Sequence, residues 1–326
     1  MRGKLLSAVW LTVVPIAVVT SPVQAEPANG GQPLDGIGPV GPIEKVATGF
    51  GFTEGPAFRD GVLYFTDIPN TTIHRLASDG SVTAFTTDSR HANGLMFTPA
   101  GELLACEMEG QLVAYDVATG QRRVLASGFN GTRFNAPNDL VIDSHGGVYF
   151  TDPRFRSPQP FPQGGQHVYY RAADGAVSRV TPKLPAPNGV TLSRDESTLY
   201  VFPSDNASMR AYDITSPGKA RGGREFCRVR QKPGSRLRGS DGVALDVRGN
   251  LYLTTVLGVQ VFDPRGELLG IIPLPEKPSN VTFGGADRKT LYATAQTSVY
   301  AIPMAVAGHV FGEIKSGVTG PAGGGP

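Results

Sequence analysis

Short apolar runs alternate with turn residues along most of the chain, and one arrangement of them recurs six times. A polar residue opens a short apolar strand. A turn containing Gly or Asp follows, and then a second strand rich in Leu, Tyr and Val. The copies are Glu54-Gly-Pro-Ala-Phe with Val62-Leu-Tyr-Phe-Thr, Asn93-Gly-Leu-Met-Phe with Glu102-Leu-Leu-Ala-Cys, and Asn138-Asp-Leu-Val-Ile with Gly147-Val-Tyr-Phe-Thr. Then come Asn188-Gly-Val-Thr-Leu with Thr198-Leu-Tyr-Val-Phe, Asp241-Gly-Val-Ala-Leu with Asn250-Leu-Tyr-Leu-Thr, and Asn280-Val-Thr-Phe with Thr290-Leu-Tyr-Ala-Thr. The opening residues are about 39 to 53 positions apart, the period of propeller blades. Five copies leave room for two further strands, for example His74-Arg-Leu and Val82-Thr-Ala-Phe after the first.

The expectation is an all-β, six-bladed β-propeller over residues 42–316. In the last copy only Ser298-Val-Tyr-Ala-Ile is clear, so Ile43-Glu-Lys-Val-Ala is expected to supply that blade's outer strand and close the ring. No helical period persists over a useful length. A pair of β-sandwiches, the other all-β solution for 326 residues, gives no reason for a sixfold motif.

The two ends read differently. Arg2 and Lys4 precede an apolar run from Leu5 to Thr20, and Val23-Gln-Ala25 offers small residues for cleavage, so residues 1–25 read as a signal peptide. The alternative, a transmembrane anchor, needs about 20 apolar residues, and Pro15 shortens the run. The protein is therefore expected in the periplasm or secreted, off the membrane once the leader is removed. Residues 26–41 read as a flexible lead-in and 317–326 as a disordered Gly/Pro tail. Loss of Arg2 and Lys4 with the leader leaves basic and acidic residues equal in number. That balance argues against a nucleic-acid partner. Cys106 and Cys227 lie in separate strand-like contexts, where two buried thiols are expected and a disulfide is the alternative.

The opening residue of each repeat is where chemistry enters. If the strand that follows is innermost in its blade, Glu54, Asn93, Asn138, Asn188, Asp241 and Asn280 form a ring at one mouth of the channel. Asn and Asp are poor strand residues. Each alone reads as a strand-starting turn residue, whereas six in register point to function. Two carboxylates with several amide oxygens, and no His or Cys, suit Ca²⁺, Mg²⁺ or Mn²⁺ better than a structural zinc. Such an ion can polarise a carbonyl, with Asp241, or a water held by the ion, as general base. No Gly-x-Ser-x-Gly elbow and no phosphate-binding loop is present. Among the histidines His91, two residues before Asn93, is the best pocket candidate.

Phe52-Thr-Glu-Gly-Pro-Ala-Phe, His91-Ala-Asn-Gly-Leu, Arg133-Phe-Asn-Ala-Pro-Asn-Asp, Tyr149-Phe-Thr-Asp-Pro, Pro187-Asn-Gly-Val and Ser240-Asp-Gly-Val-Ala-Leu-Asp together resemble the gluconolactonase/senescence marker protein (regucalcin) family, in its bacterial gluconolactonase-like branch. The resemblance runs from about Glu44 to Ile302. It implies a six-bladed propeller with one catalytic divalent metal, calcium first, with magnesium, manganese or zinc as alternatives. It implies Glu54, Asn138, Asn188 and Asp241 as ligands, Asn138 directly or through water, and Asp241 also as the general base. Arg133, Asn93 and Glu107 take pocket positions, and Asn138 also faces substrate. The implied activity is hydrolysis of a sugar lactone such as gluconolactone by a monomer or dimer. A phosphotriesterase-like hydrolase, or a sugar- or calcium-binding propeller without turnover, are the alternatives. Residues 154–165, rich in Arg, Pro and Gln, depart from the family pattern and are expected to shape the pocket mouth.

Overall fold

The computed structural model describes residues 22–23, 34–236 and 238–312. The rest of the expected leader, the lead-in up to residue 33, and the tail 317–326 lie outside the described residues. The described chain forms six antiparallel sheets arranged as the blades of a propeller, plus a two-stranded hairpin. Blade 1 is Thr53–Arg59, Val62–Asp67, Thr72–Leu76 and Val82–Thr86, in order from the centre outward. Blades 2 to 5 repeat that order from Ala92–Phe97, Leu140–Ile142, Pro187–Leu192 and Val243–Leu245.

Blade 6 closes the ring as the repeats require. Pro278–Gly284, Thr290–Ala295 and Ser298–Pro303 are followed on the outside by Ile43–Thr48, paired Glu44 to Ala301 and Thr48 to Ser298. Pro22–Val23 adds a short fifth strand beyond it. Cleavage after Ala25 would remove that strand and leave four.

The second strand of every blade is sandwiched between neighbouring blades, which explains its near-continuous apolar sequence. Leu63, Phe65, Leu199, Val201, Leu251 and Leu253 are essentially inaccessible. Aromatic rings dovetail across blade boundaries: Tyr64 meets Phe97 edge-on at 5.2 Å, and Tyr252 meets Phe283 at 5.1 Å. Cys106 and Cys227 are buried, unpaired thiols.

The seam of the ring has its own staple. Glu276 accepts from Ser298 Oγ at 2.5 Å, Tyr300 OH at 2.8 Å and Lys45 Nζ at 3.0 Å. Burial alone would raise this carboxyl, but the donors outweigh it and bring it down to about 2. A depressed carboxyl contributes stability that is present above its unfolded value and lost as pH falls through the folded one. Glu276→Gln is therefore expected to lower stability by ~1–2 kcal/mol at pH 7. It should also flatten the acid limb between about pH 4.5 and 2, as read by thermal melts across that range.

Candidate metal centre and active site

Hydrogen bonds to backbone carbonyls, donated by amides or by side-chain hydroxyls, tie most neighbouring blades together at the opening residues. Thr66 Oγ1 donates to Asn93 O at 3.1 Å, Gly94 N to Asn138 O at 2.7 Å, and Gly189 N to Asp241 O at 2.9 Å. Gly242 N donates to Ser279 O at 2.8 Å, and Ser279 Oγ to Thr53 O at 2.6 Å. These contacts explain the glycine that follows most of the opening residues. A Cβ on Gly189 would stand 2.4 Å from Asp241 O, and one on Gly94 would stand 2.7 Å from Asn138 O. Blade 3 positions its pair differently. Asp152 accepts from the amides of Asn135 and Ala136 at 2.9 and 2.8 Å, and Asn138 N bonds Thr151 O at 2.9 Å. That clamp delivers Asn138 and Asp139 to the centre just before the short inner strand begins.

Glu54, Asn93, Asn138, Asn188 and Asn280 are all buried, and the Asp241 side chain is 18% exposed. The Asn188 amide nitrogen donates to Asp241 Oδ1 at 2.6 Å and to Ser204 Oγ at 3.1 Å. Its carbonyl oxygen is therefore the end left for a ligand. Lys277 Nζ stands 3.3 Å from Asp241 Oδ2. Two members were missed by sequence reasoning: Lys277, on the connector into blade 6, and Asp139, a third buried carboxylate. Their signals were faint. In four repeats the position after the opening residue is Gly, and in blade 3 it is Asp139.

The electrostatics follow from this crowding. Burial drives Glu54 well above the carboxylate range, and the charges of Asp241 and Asp139 push the same way. Asp139 is raised to about 7, chiefly by burial. Burial also raises Asp241, while Lys277 and Asn188 oppose it. The Asn280 amide bonds toward both Glu54 and Asp139. Three carboxylates thus share a buried region with one ammonium beside them, a field short of positive charge. Among the described residues no three His, Cys, Asp or Glu converge closely enough to hold an ion by themselves. A mixed set of Glu54 and Asp241 with the amides of Asn138 and Asn188 fits a hard divalent cation in its donor chemistry.

The other pocket candidates separate. His91 and Arg133 lie at the mouth. Asn93 is in the ring, with its amide 4.0 Å from Met108 Sδ. Glu107, expected to line the pocket, is instead buried within blade 2. It is bound by Arg122 at 2.7 and 2.5 Å and by Tyr115 OH at 3.0 Å. Every carboxylate oxygen has a partner there, so the structure assigns it to packing. Beneath the ring the bore continues as a cavity of about 560 Å³, walled by Phe58, Phe97, Phe283 and Phe311. Asp139 and Asn280 reach it, whereas Glu54, Asn188 and Asp241 do not line it.

Comparison with known proteins agrees with this frame. The model of the SMP-30/Gluconolactonase/LRE-like region matches residues 52–297. The chain belongs to the SMP-30/gluconolactonase/LRE-like family. Among curated members, the gluconolactonase of Zymomonas mobilis is 31% identical over 288 residues, covering 80% of this chain and 81% of that protein. A pentonolactonase of Haloferax volcanii is 28% identical, covering 74% and 80%. Among solved structures of the family, a gluconolactonase from Xanthomonas campestris superposes with a TM-score of 0.79 at 28% identity, over 90% of this chain and 99% of that one.

Proposed function

We propose that this chain is a divalent-metal-dependent lactone hydrolase acting on a sugar lactone of the aldonolactone type. The observation that carries the reading is the Asn188–Asp241–Lys277 cluster. It supports the reading because both oxygens of the candidate base Asp241 are oriented by donors, in a fold whose named relatives hydrolyse lactones. Glu54, Asn138, Asn188 and Asp241 would hold the ion. When bound, it supplies Lewis-acid polarisation of the lactone carbonyl.

The remaining steps belong to the chain. Asp241 accepts a proton from the attacking water as the new oxygen–carbon bond forms. Lys277 and the Asn188 amide favour its ionised state and fix its orientation. Collapse of the tetrahedral intermediate breaks the ring carbon–oxygen bond. The departing oxygen takes the proton back from Asp241, leaving the open hydroxy acid and a carboxylate ready for the next water. The leader expected at residues 1–25 makes this an exported enzyme, which cell fractionation with and without those residues would test.

The function is tested with purified protein on glucono-1,5-lactone and a panel of lactones and phosphotriesters. Chelator is expected to remove lactone hydrolysis, and added Ca²⁺, Mg²⁺, Mn²⁺ or Zn²⁺ to restore it. A full rate in chelator, or turnover of phosphotriesters alone, overturns the proposal. Glu54→Gln is expected to weaken cation binding about tenfold or more by calorimetry, since it removes one of two charged donors.

A further inference from the structure

The strand order places two sets of loops on the site face: those joining the second and third strands of each blade, and the connectors into the next inner strand. In blades 1, 2 and 4 the first kind is short: residues 68–71, 108–110 and 204–207. In blade 3 it runs over residues 153–166 and touches all three of the others. Arg154 Nη1 reaches Asp205 Oδ2 of blade 4 at 3.2 Å. Phe155 packs against the cluster of Ile68 of blade 1, Met108 of blade 2 and Ala136 on the connector into blade 3. Arg156 Nη2 stands 2.8 Å from His91 Nε2 on the connector into blade 2. The loop therefore arches over the mouth across four blades. Met108 links it to the ring, because its sulfur faces the Asn93 amide.

What the arch brings to the mouth is positive charge. The guanidinium of Arg156 is exposed, and the partner it meets is an imidazole whose Nδ1 faces Glu109 at 3.3 Å. Arg133, also exposed, lies against Gly110 of the same turn and donates to the backbone oxygens of Phe134 and Asn135. Neither arginine is in an ion pair among the described residues. Across the mouth, the connector into blade 5 carries exposed Arg236 and Arg238, and Lys277 stands on Asp241. Of the acids on this face, Asp205 is engaged by Arg154, Glu276 by Lys45 and Glu109 by His91, while Asp88 is exposed on the connector into blade 2. Turns on the far face mix exposed Asp60, Asp79, Asp116, Asp174 and Asp287 with exposed Arg194, Arg248, Arg265, Arg288 and Lys289. On a chain whose formal net charge is only +2, the positive charge at the mouth is a local cluster.

We propose that the lactone turned over here carries a negative charge. Its exocyclic end bears a phosphate, sulfonate or carboxylate that lies against Arg156 and Arg133 while the ring carbonyl faces Asp241. This rests on the lactone-hydrolase reading and narrows its substrate class. Guanidinium donors match tetrahedral and planar oxyanions, and a cationic rim raises the encounter rate with anions. A neutral sugar lactone can accept hydrogen bonds from these donors but gains nothing from their charge.

The test compares glucono-1,5-lactone with its 6-phosphate, its 6-deoxy-6-sulfonate and a 6-carboxylate lactone, using the metal-supplemented protein. At least one charged lactone is expected to exceed the neutral one about tenfold in kcat/KM at low salt, and to lose that advantage as ionic strength rises. The arms distinguish the three anions. Arg156→Gln is expected to raise KM for the charged lactone about tenfold, with a much smaller change for the neutral one. Arg156→Lys should restore part of the difference. Equal or better turnover of the neutral lactone, without salt dependence, overturns the charge proposal and leaves the lactonase reading standing. If no lactone is hydrolysed, calorimetry with 6-phosphogluconate decides. Binding weakened by Arg156→Gln supports the charge proposal while the hydrolase reading falls, and no binding overturns both.

Discussion

Asp241→Asn is expected to lower kcat for lactone hydrolysis about a thousandfold while leaving a folded protein. Removing a positioned general base forfeits roughly 10²–10⁴ in rate, and this residue is also a proposed ion ligand. The fold should tolerate the change because the ring uses the backbone of residue 241. Its carbonyl accepts from Gly189 N at 2.9 Å, and its amide bonds Thr254 O at 3.0 Å. The isosteric amide keeps an acceptor oxygen for the Asn188 nitrogen. It also relieves the desolvation that raises this carboxyl. Single-turnover kinetics and a thermal melt separate the two effects. A near-normal rate would move the base elsewhere, with Asp139 the next carboxylate in the ring.

Gly55→Ala should be the most damaging single-methyl change in the molecule's centre. Gly55 adopts φ +47°, and a Cβ there would stand 1.9 Å from the carbonyl oxygen of Asn93. That oxygen is fixed by Thr66 Oγ1 at 3.1 Å, and the obstacle is backbone, which has no rotamer to escape into. A loss of ~4 kcal/mol or more is expected, in the range reserved for direct steric conflict, with little soluble protein recovered. Gly61→Ala is the control. It has φ +80° and nothing within 4 Å of the added carbon, so it should cost only ~1 kcal/mol. If denaturant titration finds the two variants equally stable, the tight approach of blades 1 and 2 is wrong.

The repeats made the architecture legible. A strand buried on both faces must be apolar throughout, and six such strands after six polar openers leave few alternatives to a closed ring. Closure by Ile43–Thr48 was also readable, because the last repeat was one strand short. The site was only half legible. Residues in register with one another announced themselves, whereas Asp139 and Lys277 depend on where a connector bends. The regular inner strand of blade 3 begins only at Leu140, so the Asp139 backbone is tied to Thr151 just ahead of it, and nothing in its tripeptide context says so. Glu107 shows the opposite case. Its position suggested a pocket, but Arg122 and Tyr115 lie 15 and 8 residues on, and no local pattern links them to it. The hairpin Gly128–Phe129 with Thr132–Arg133, which carries Arg133 to the mouth, was equally silent.

The seam in blade 6 sets the order in which activity is acquired. Three strands of that blade come from the end of the chain, and Ile43–Thr48, which pairs with the last of them, comes from near its beginning, and the ring residues are spread from Glu54 to Asn280. A chain emerging from its C-terminal side unfinished has an unpaired edge on Ile43–Thr48 and no assembled mouth, and such long-range pairings form late. The proposed site is therefore complete only after the final strands arrive, so a nascent or truncated chain is expected to be inert rather than partly active. Until then the waiting edge is the segment most exposed to pairing with other chains.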